Sequence, residues 1–124
     1  MERYDPLVSP AREEWLDLDE AERIGLITDF HRQARIRLPN VKVHAALHAV
    51  VENQVAMGDE IPVGKTLDRL MADGLDRHEA VHAIASVLSA HMMDVVGGRA
   101  GQGDPNVPYY AALERLTAEG WRKS

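Results

Sequence analysis

Two histidine pairs carry the clearest chemical signal in this chain. His78 and His82 stand in the run Asp76-Arg77-His78-Glu79-Ala80-Val81-His82, which spells H-E-x-x-H, and His44 and His48 repeat the same spacing upstream. On a helix, residues four apart share a face, so each pair can offer two imidazoles to one metal ion. The candidate ligands are His44, His48, His78 and His82, with Glu52 one turn past His48 as a fifth. Glu79 is the candidate general base, placed where an H-E-x-x-H hydrolase would activate a metal-bound water. The 124-residue chain has no cysteine, so the donors would be nitrogen and oxygen. A divalent ion is the expected cofactor, zinc before others.

Plainer uses exist for the same residues. A buried neutral histidine needs only hydrogen-bond partners. Two inward-facing pairs, however, leave several ring nitrogens to satisfy, and one divalent ion would satisfy them together. Asp76-x-x-Glu79 is also a capping box, which gives Glu79 the backbone N–H of Asp76 as a partner. The residues after His82 run Ala-Ile-Ala-Ser and lack the G-x-x-H continuation of one zinc-peptidase class. No strand pattern supplies a substrate-aligning sheet edge. Four histidines, or three with Glu52, would close a tetrahedral ion and leave no open position. Glu79-x-x-His82 is the single Glu-x-x-His of the chain, which argues against a di-iron carboxylate centre. The leading function is therefore a helical protein with a divalent-metal site between two helices. The alternative is a non-enzymatic interaction module with a buried histidine layer, and an H-E-x-x-H hydrolase ranks third.

These residues need helices to position them. Low aromatic content, 5%, with abundant alanine, leucine and valine favours an all-α fold. After an extended, flexible arm over 1–8, Ser9-Pro10 predicts a short helix over 10–16 carrying Trp15 and Leu16. Four main helices are expected. Asp19-x-x-Glu22 caps the first, about 20–37, with Ile24, Ile27, His31 and Ala34 on one face and Pro39-Asn40 as its stop. Asn40 starts the second, about 41–57, in which Val41, Leu47, His48, Val51 and Val55 lie within roughly 60° of His44. The third, about 62–73, has a stripe of Val63, Leu67, Leu70 and Met71 and ends at Gly74. The fourth, 77–96, is capped by Asp76, and Val81, His82, Ala85, Ser89, Met92, Met93 and Val96 lie within roughly 60° of His78. A glycine-rich loop over 97–107 and a last helix from Pro108 to about 119 complete a single domain.

Short connections make successive helices antiparallel. The second and fourth main helices then begin at the same end of the bundle, where the first one finishes. His31, His44, His48, His78 and His82 are all expected in one layer there, and His91 on a different face. Arg77 reads as a solvated first-turn residue with an anion-holding option, Met92-Met93 as core filling, Asn53-Gln54 as a polar flank or donors behind the site, and Arg32, Arg35 and Arg37 as a solvated basic stripe.

The net charge of −6 disfavours generic nucleic-acid binding. No apolar run is long enough for a membrane span, and Met-Glu-Arg-Tyr-Asp-Pro does not read as a signal peptide. A cytoplasmic location is expected, with a protein or small molecule as partner and homo-oligomerisation compatible.

Residues 41–54 (VKVHAALHAVVENQ) and 66–88 (TLDRLMADGLDRHEAVHAIASVL) together resemble a family of small uncharacterised bacterial helical proteins. The recurring pieces are H-x-x-x-H-x-x-V-E-N-Q and D-R-H-E-A-x-H-A-I, and Leu116-Thr117-Ala118-Glu119 with Trp121 is similar to that family's ending. The resemblance covers most of the chain after residue 15. It implies a shared fold and shared motif positions at His44, His48, Glu52, His78, Glu79 and His82. It implies no activity, because the family has none established. Gly120, where a serine is expected, and the glycine-rich 97–103 segment depart from the pattern.

Overall fold

The computed structural model describes residues 1, 3–33, 41–99 and 101–123, leaving aside the side chains of Gln33, Val41 and Lys42. It is all-α, with no strand among the described residues. Among the described residues seven α-helices follow in order: α1 Arg12–Asp17, α2 Glu20–Gln33, α3 Val41–Ala56, α4 Val63–Ala72, α5 Arg77–Val96, α6 Asn106–Arg115 and α7 Ala118–Lys123, with a 3-10 turn at Gly58–Glu60 between α3 and α4. The end expected for the first main helix, with Ala34, Arg35, Arg37 and the Pro39-Asn40 stop, lies outside the described residues. None of the helices described is long and apolar enough to cross a membrane.

Local sequence explains most boundaries. The Asp19–Glu22 capping box forms in both directions: Glu22 N–H donates to Asp19 Oδ1 at 2.8 Å, and Asp19 N–H to Glu22 Oε1 at 3.5 Å. α4 ends in a Schellman turn. Leu75 N–H reaches the Leu70 carbonyl and Gly74 N–H that of Met71, with Gly74 at φ 105°, a left-handed conformation that favours glycine. Leu70 and Leu75 are both buried, so the turn is pinned to the core. Asp76 then caps α5 by accepting from Glu79 N–H at 2.8 Å. This sequence of turn and cap fixes where Arg77 and His78 enter the molecule.

Two boundaries differ from expectation. α1 starts at Arg12, because Ser9 does not cap it; the Ser9 hydroxyl instead accepts from Arg77 Nε at 3.2 Å. The last expected helix is two helices. α6 starts two residues early, behind Asp104 Oδ1, which accepts from Asn106 N–H. It stops at Arg115, where Leu116 turns extended, and Thr117 Oγ1 accepts from Gly120 N–H as α7 begins.

α3 is the central element, packed against α1, α2, α4 and α5. It serves two apolar cores. Ala45 and Ala49 join Tyr4, Trp15 and Ile27 in one; Val51 joins Val63, Leu67, Leu70, Val81, Ile84, Leu88, Tyr109 and Leu113 in the other. At roughly 100° per residue, His48 falls between Ala45 and Val51 around the α3 circumference. On the N-terminal arm Tyr4, 2% exposed, and Pro6 are buried, while Arg3, Asp5, Leu7 and Val8 are exposed. Asn53 ties α1 and α2 to α3, its Oδ1 accepting from Trp15 Nε1 and Arg23 Nη1. Met92 and Met93 are exposed rather than filling the core.

Trp15 is fully buried and anchors the smaller core. Trp15→Ala should lower unfolding free energy by about 3–5 kcal/mol in urea titrations, whereas Met93→Ala should stay within about 0.5 kcal/mol of the parent.

Candidate metal centre

Five imidazoles meet where α2, α3 and α5 come together. His31 comes from α2, His44 and His48 from α3, His78 and His82 from α5. Their ring contacts run from 4.2 Å between the centroids of His78 and His82 to 6.1 Å between His31 and His82. His91 stands apart, stacked on Tyr109 at 5.5 Å.

Within this cluster, one ring nitrogen from each of His31, His48, His78 and His82 lies within 4.8 Å of the other three. Such a group could hold a metal ion. Nitrogens around one tetrahedral zinc sit about 3.3 Å apart, given bonds of about 2.0–2.1 Å, so the four rings would draw in on binding. Of the candidates read from sequence, His48, His78 and His82 belong to the group. His31 completes it. His44 lies beside it, with Nε2 3.0 Å from His82 Nε2. That separation suits a hydrogen bond between one protonated and one bare nitrogen.

Glu52 is buried but is not in the group. Its two oxygens are held by Arg77: Nη2 donates to Oε1 at 2.7 Å and Nη1 to Oε2 at 2.8 Å. The Tyr4 hydroxyl also donates to Oε2. Arg77 is 3% exposed, which corrects the expectation of a solvated first-turn residue. The anion it holds is this carboxylate. Burial works against its charge, but the hydrogen bonds and charge of Glu52 outweigh that and raise its pKa. Glu79 is exposed and outside the clustered group.

Hydrogen bonds decide which ring nitrogens are bare. His31 Nδ1–H donates to the Ile27 carbonyl at 2.8 Å, which leaves Nε2 with its lone pair. The Tyr4 hydroxyl spends its proton on Glu52, so its oxygen accepts from His48 Nε2–H at 2.7 Å. That leaves His48 Nδ1 bare. His31 Nε2, His48 Nδ1 and His78 Nε2 are all buried with no partner among the described residues. An unsatisfied buried polar atom costs about 1–3 kcal/mol, and three in one cluster call for a common partner.

The electrostatics match bare nitrogens. Burial lowers the pKa of His44 to about 4, helped by His31 and His78. Burial lowers that of His82 to about 3, helped by His78, His44 and His31. His48 and His78 are lowered too, again first by burial. Crowded imidazoles oppose one another's protonation, so His44, His48, His78 and His82 are held neutral at pH 7. A cleft of about 420 Å³ leads from solvent to its His44 and His82 side, past Leu47, Ala85, Ser89 and Met93.

Sequence reasoning placed His31 in the layer but not among the ligands, since it has no partner four residues away. Its inward position beside Ile27 was the available signal. Tyr4 and the role of Arg77 gave no local signal at all, because both act across long sequence separations. No family model, curated protein or solved structure matches the chain.

Depressed histidine pKa values set a pH dependence. Below roughly 6.5 the unfolded chain takes up protons that the folded cluster refuses, so stability is full above that pH and falls as pH drops toward 4. Each proton refused steepens the slope by about 1.4 kcal/mol per pH unit. Urea unfolding in chelator at pH 7.5, 6 and 5 should show this loss, and His82→Gln should flatten it. A parent chain equally stable across that range would contradict a neutral buried cluster.

Proposed function

We propose that this is a divalent-metal-binding helical protein whose ligands are His31, His48, His78 and His82. The observation that carries the reading is the set of three buried ring nitrogens, inside a cluster of imidazoles, that have no partner among the described residues. Two of those rings are already oriented through their other nitrogen, as metal-ligating histidines are. An all-nitrogen donor set suits zinc, with copper, nickel or iron as competitors. Four histidines fill a tetrahedral ion, so the role of the metal is structural or one of storage rather than hydrolytic. Exposed Glu79 gives no support to hydrolysis.

The test is elemental analysis of untagged protein beside a His31→Ala/His78→Ala variant. Near-stoichiometric zinc is expected in the parent and none in the variant. Removing the ion should lower the thermal midpoint by roughly 10 °C at zinc levels about 100-fold above Kd. A metal-free parent with a chelator-insensitive midpoint would leave the second reading, a structural histidine layer within an interaction module, which the His44–His82 hydrogen bond would favour.

A further inference from the structure

The Tyr4 hydroxyl sits at a junction that the metal reading alone does not require. It lies on the N-terminal arm, 44 positions before the histidine it touches. Its proton goes to Glu52, whose carboxylate is fixed by both arms of the Arg77 fork. A bidentate guanidinium–carboxylate pair has little rotational freedom. The orientation therefore passes from Arg77 through Glu52 to the phenol. The phenol oxygen is then obliged to accept, and the group facing it is His48 Nε2. Were that nitrogen bare, two lone pairs would face each other across 2.7 Å in a buried site.

The same Arg77 holds the arm down elsewhere. Its Nη1 donates to the Pro6 carbonyl at 2.9 Å and its Nε to Ser9 Oγ at 3.2 Å. Tyr4 itself packs edge-on against the rings of Phe30 and His48 and is tilted against Trp15. Arm docking and the state of His48 thus share one set of contacts.

We propose that Tyr4 is a positioning residue for the metal centre: held by Glu52 and Arg77, it commits His48 to the Nε2–H tautomer, so that Nδ1 faces the metal and docking of residues 3–9 is thermodynamically linked to metal binding. This rests on the metal reading above for its second half only. The tautomer belongs to the protein without an ion. Linkage is reciprocal: whatever the docked arm adds to metal affinity, the metal adds to arm docking.

Three measurements test it. Long-range ¹H–¹⁵N correlation spectra of the metal-free chain should show His48 protonated at Nε2, and Tyr4→Phe should abolish that single tautomer. In competition titrations, Tyr4→Phe should weaken zinc binding by about 10–100-fold, the usual cost of losing a ligand's orienting partner. Tyr110→Phe, distant from the relay, should bind like the parent. Zinc should also slow backbone hydrogen exchange over residues 3–9 in the parent chain, a readout that needs no variant. An Nδ1-protonated His48 in the parent, or a Tyr4→Phe chain with parental zinc affinity and an unchanged tautomer, would overturn the proposal. A parent that binds no zinc would overturn the metal reading and the linkage together, while the spectra would still decide whether Tyr4 sets His48.

Discussion

The buried pair of Arg77 and Glu52 is the contact on which the arrangement depends. It joins the first residue of α5 to the C-terminal half of α3, the two helices that carry four of the five clustered histidines. Both side chains are almost wholly buried. A pair like this adds little net stability, because stripping water from two charges offsets most of their attraction. Breaking it from one side is another matter, costing about 3–5 kcal/mol by leaving a buried charge alone. Its use here is specificity. It sets how α5 enters relative to α3, and so the register in which His78 and His82 meet His48. Arg77 also binds Pro6 and Ser9, so the same residue decides where the arm lies.

A polar layer of this size needs apolar support on both sides. The larger core, from α3 to α7, and the smaller one, around Trp15 and Ile27, supply it. Hydrophobic burial in these two clusters provides the main driving force for folding. The histidines contribute little of it and leave ring nitrogens unsatisfied. α3 has to serve both cores, which is why its apolar residues wrap around most of its circumference. His48 and Glu52 occupy the sector left between them. The site therefore sits at the seam between two packed units, a frequent place for polar groups gathered from several helices.

Much of this was legible from local patterns. The capping boxes at Asp19 and Asp76, the glycine turn at Gly74 and the 3.6-residue stripes are short-range signals, and they placed the main helices. The parallel course expected for α3 and α5 is not what forms. As α5 advances from Arg77 through His78 to His82, its partners step back along α3 from Glu52 through His48 to His44, and Val43 at the start of α3 lines a pocket with Met92 and Val96 near the end of α5. The two helices therefore run in opposite senses, and the histidine pairs meet because each lies on the inward face of its helix, not because the helices begin at one end. What was not legible depends on contacts between residues far apart in sequence. Glu52 looked like a ligand because it follows His48 by one turn, yet the guanidinium of Arg77 claims both its oxygens. Arg77 looked solvated because first-turn arginines usually are. Ser9 looked like a helix cap, but its hydroxyl answers to the same arginine. All three departures trace to one long-range ion pair, and no spacing rule reports it.

The cluster also carries its own trade-off. His44, His48, His78 and His82 are poor bases because burial penalises the charged form and each neighbour opposes charge on the next. A proton brings one unit of charge and one bond; a divalent ion brings two units and can bond several nitrogens at once. The geometry that rejects protons is thus suited to a metal, which must compete with protons for the same lone pairs. With His44, His48, His78 and His82 neutral at pH 7, a metal ion would meet little competition from protons at those rings. The buried tyrosine and the Ile27 carbonyl add the remaining element, holding protons at the nitrogens turned away from the shared space. With the tautomers of His31 and His48 assigned in advance, the cost of ordering those two rings for any shared cation would fall on folding rather than on binding.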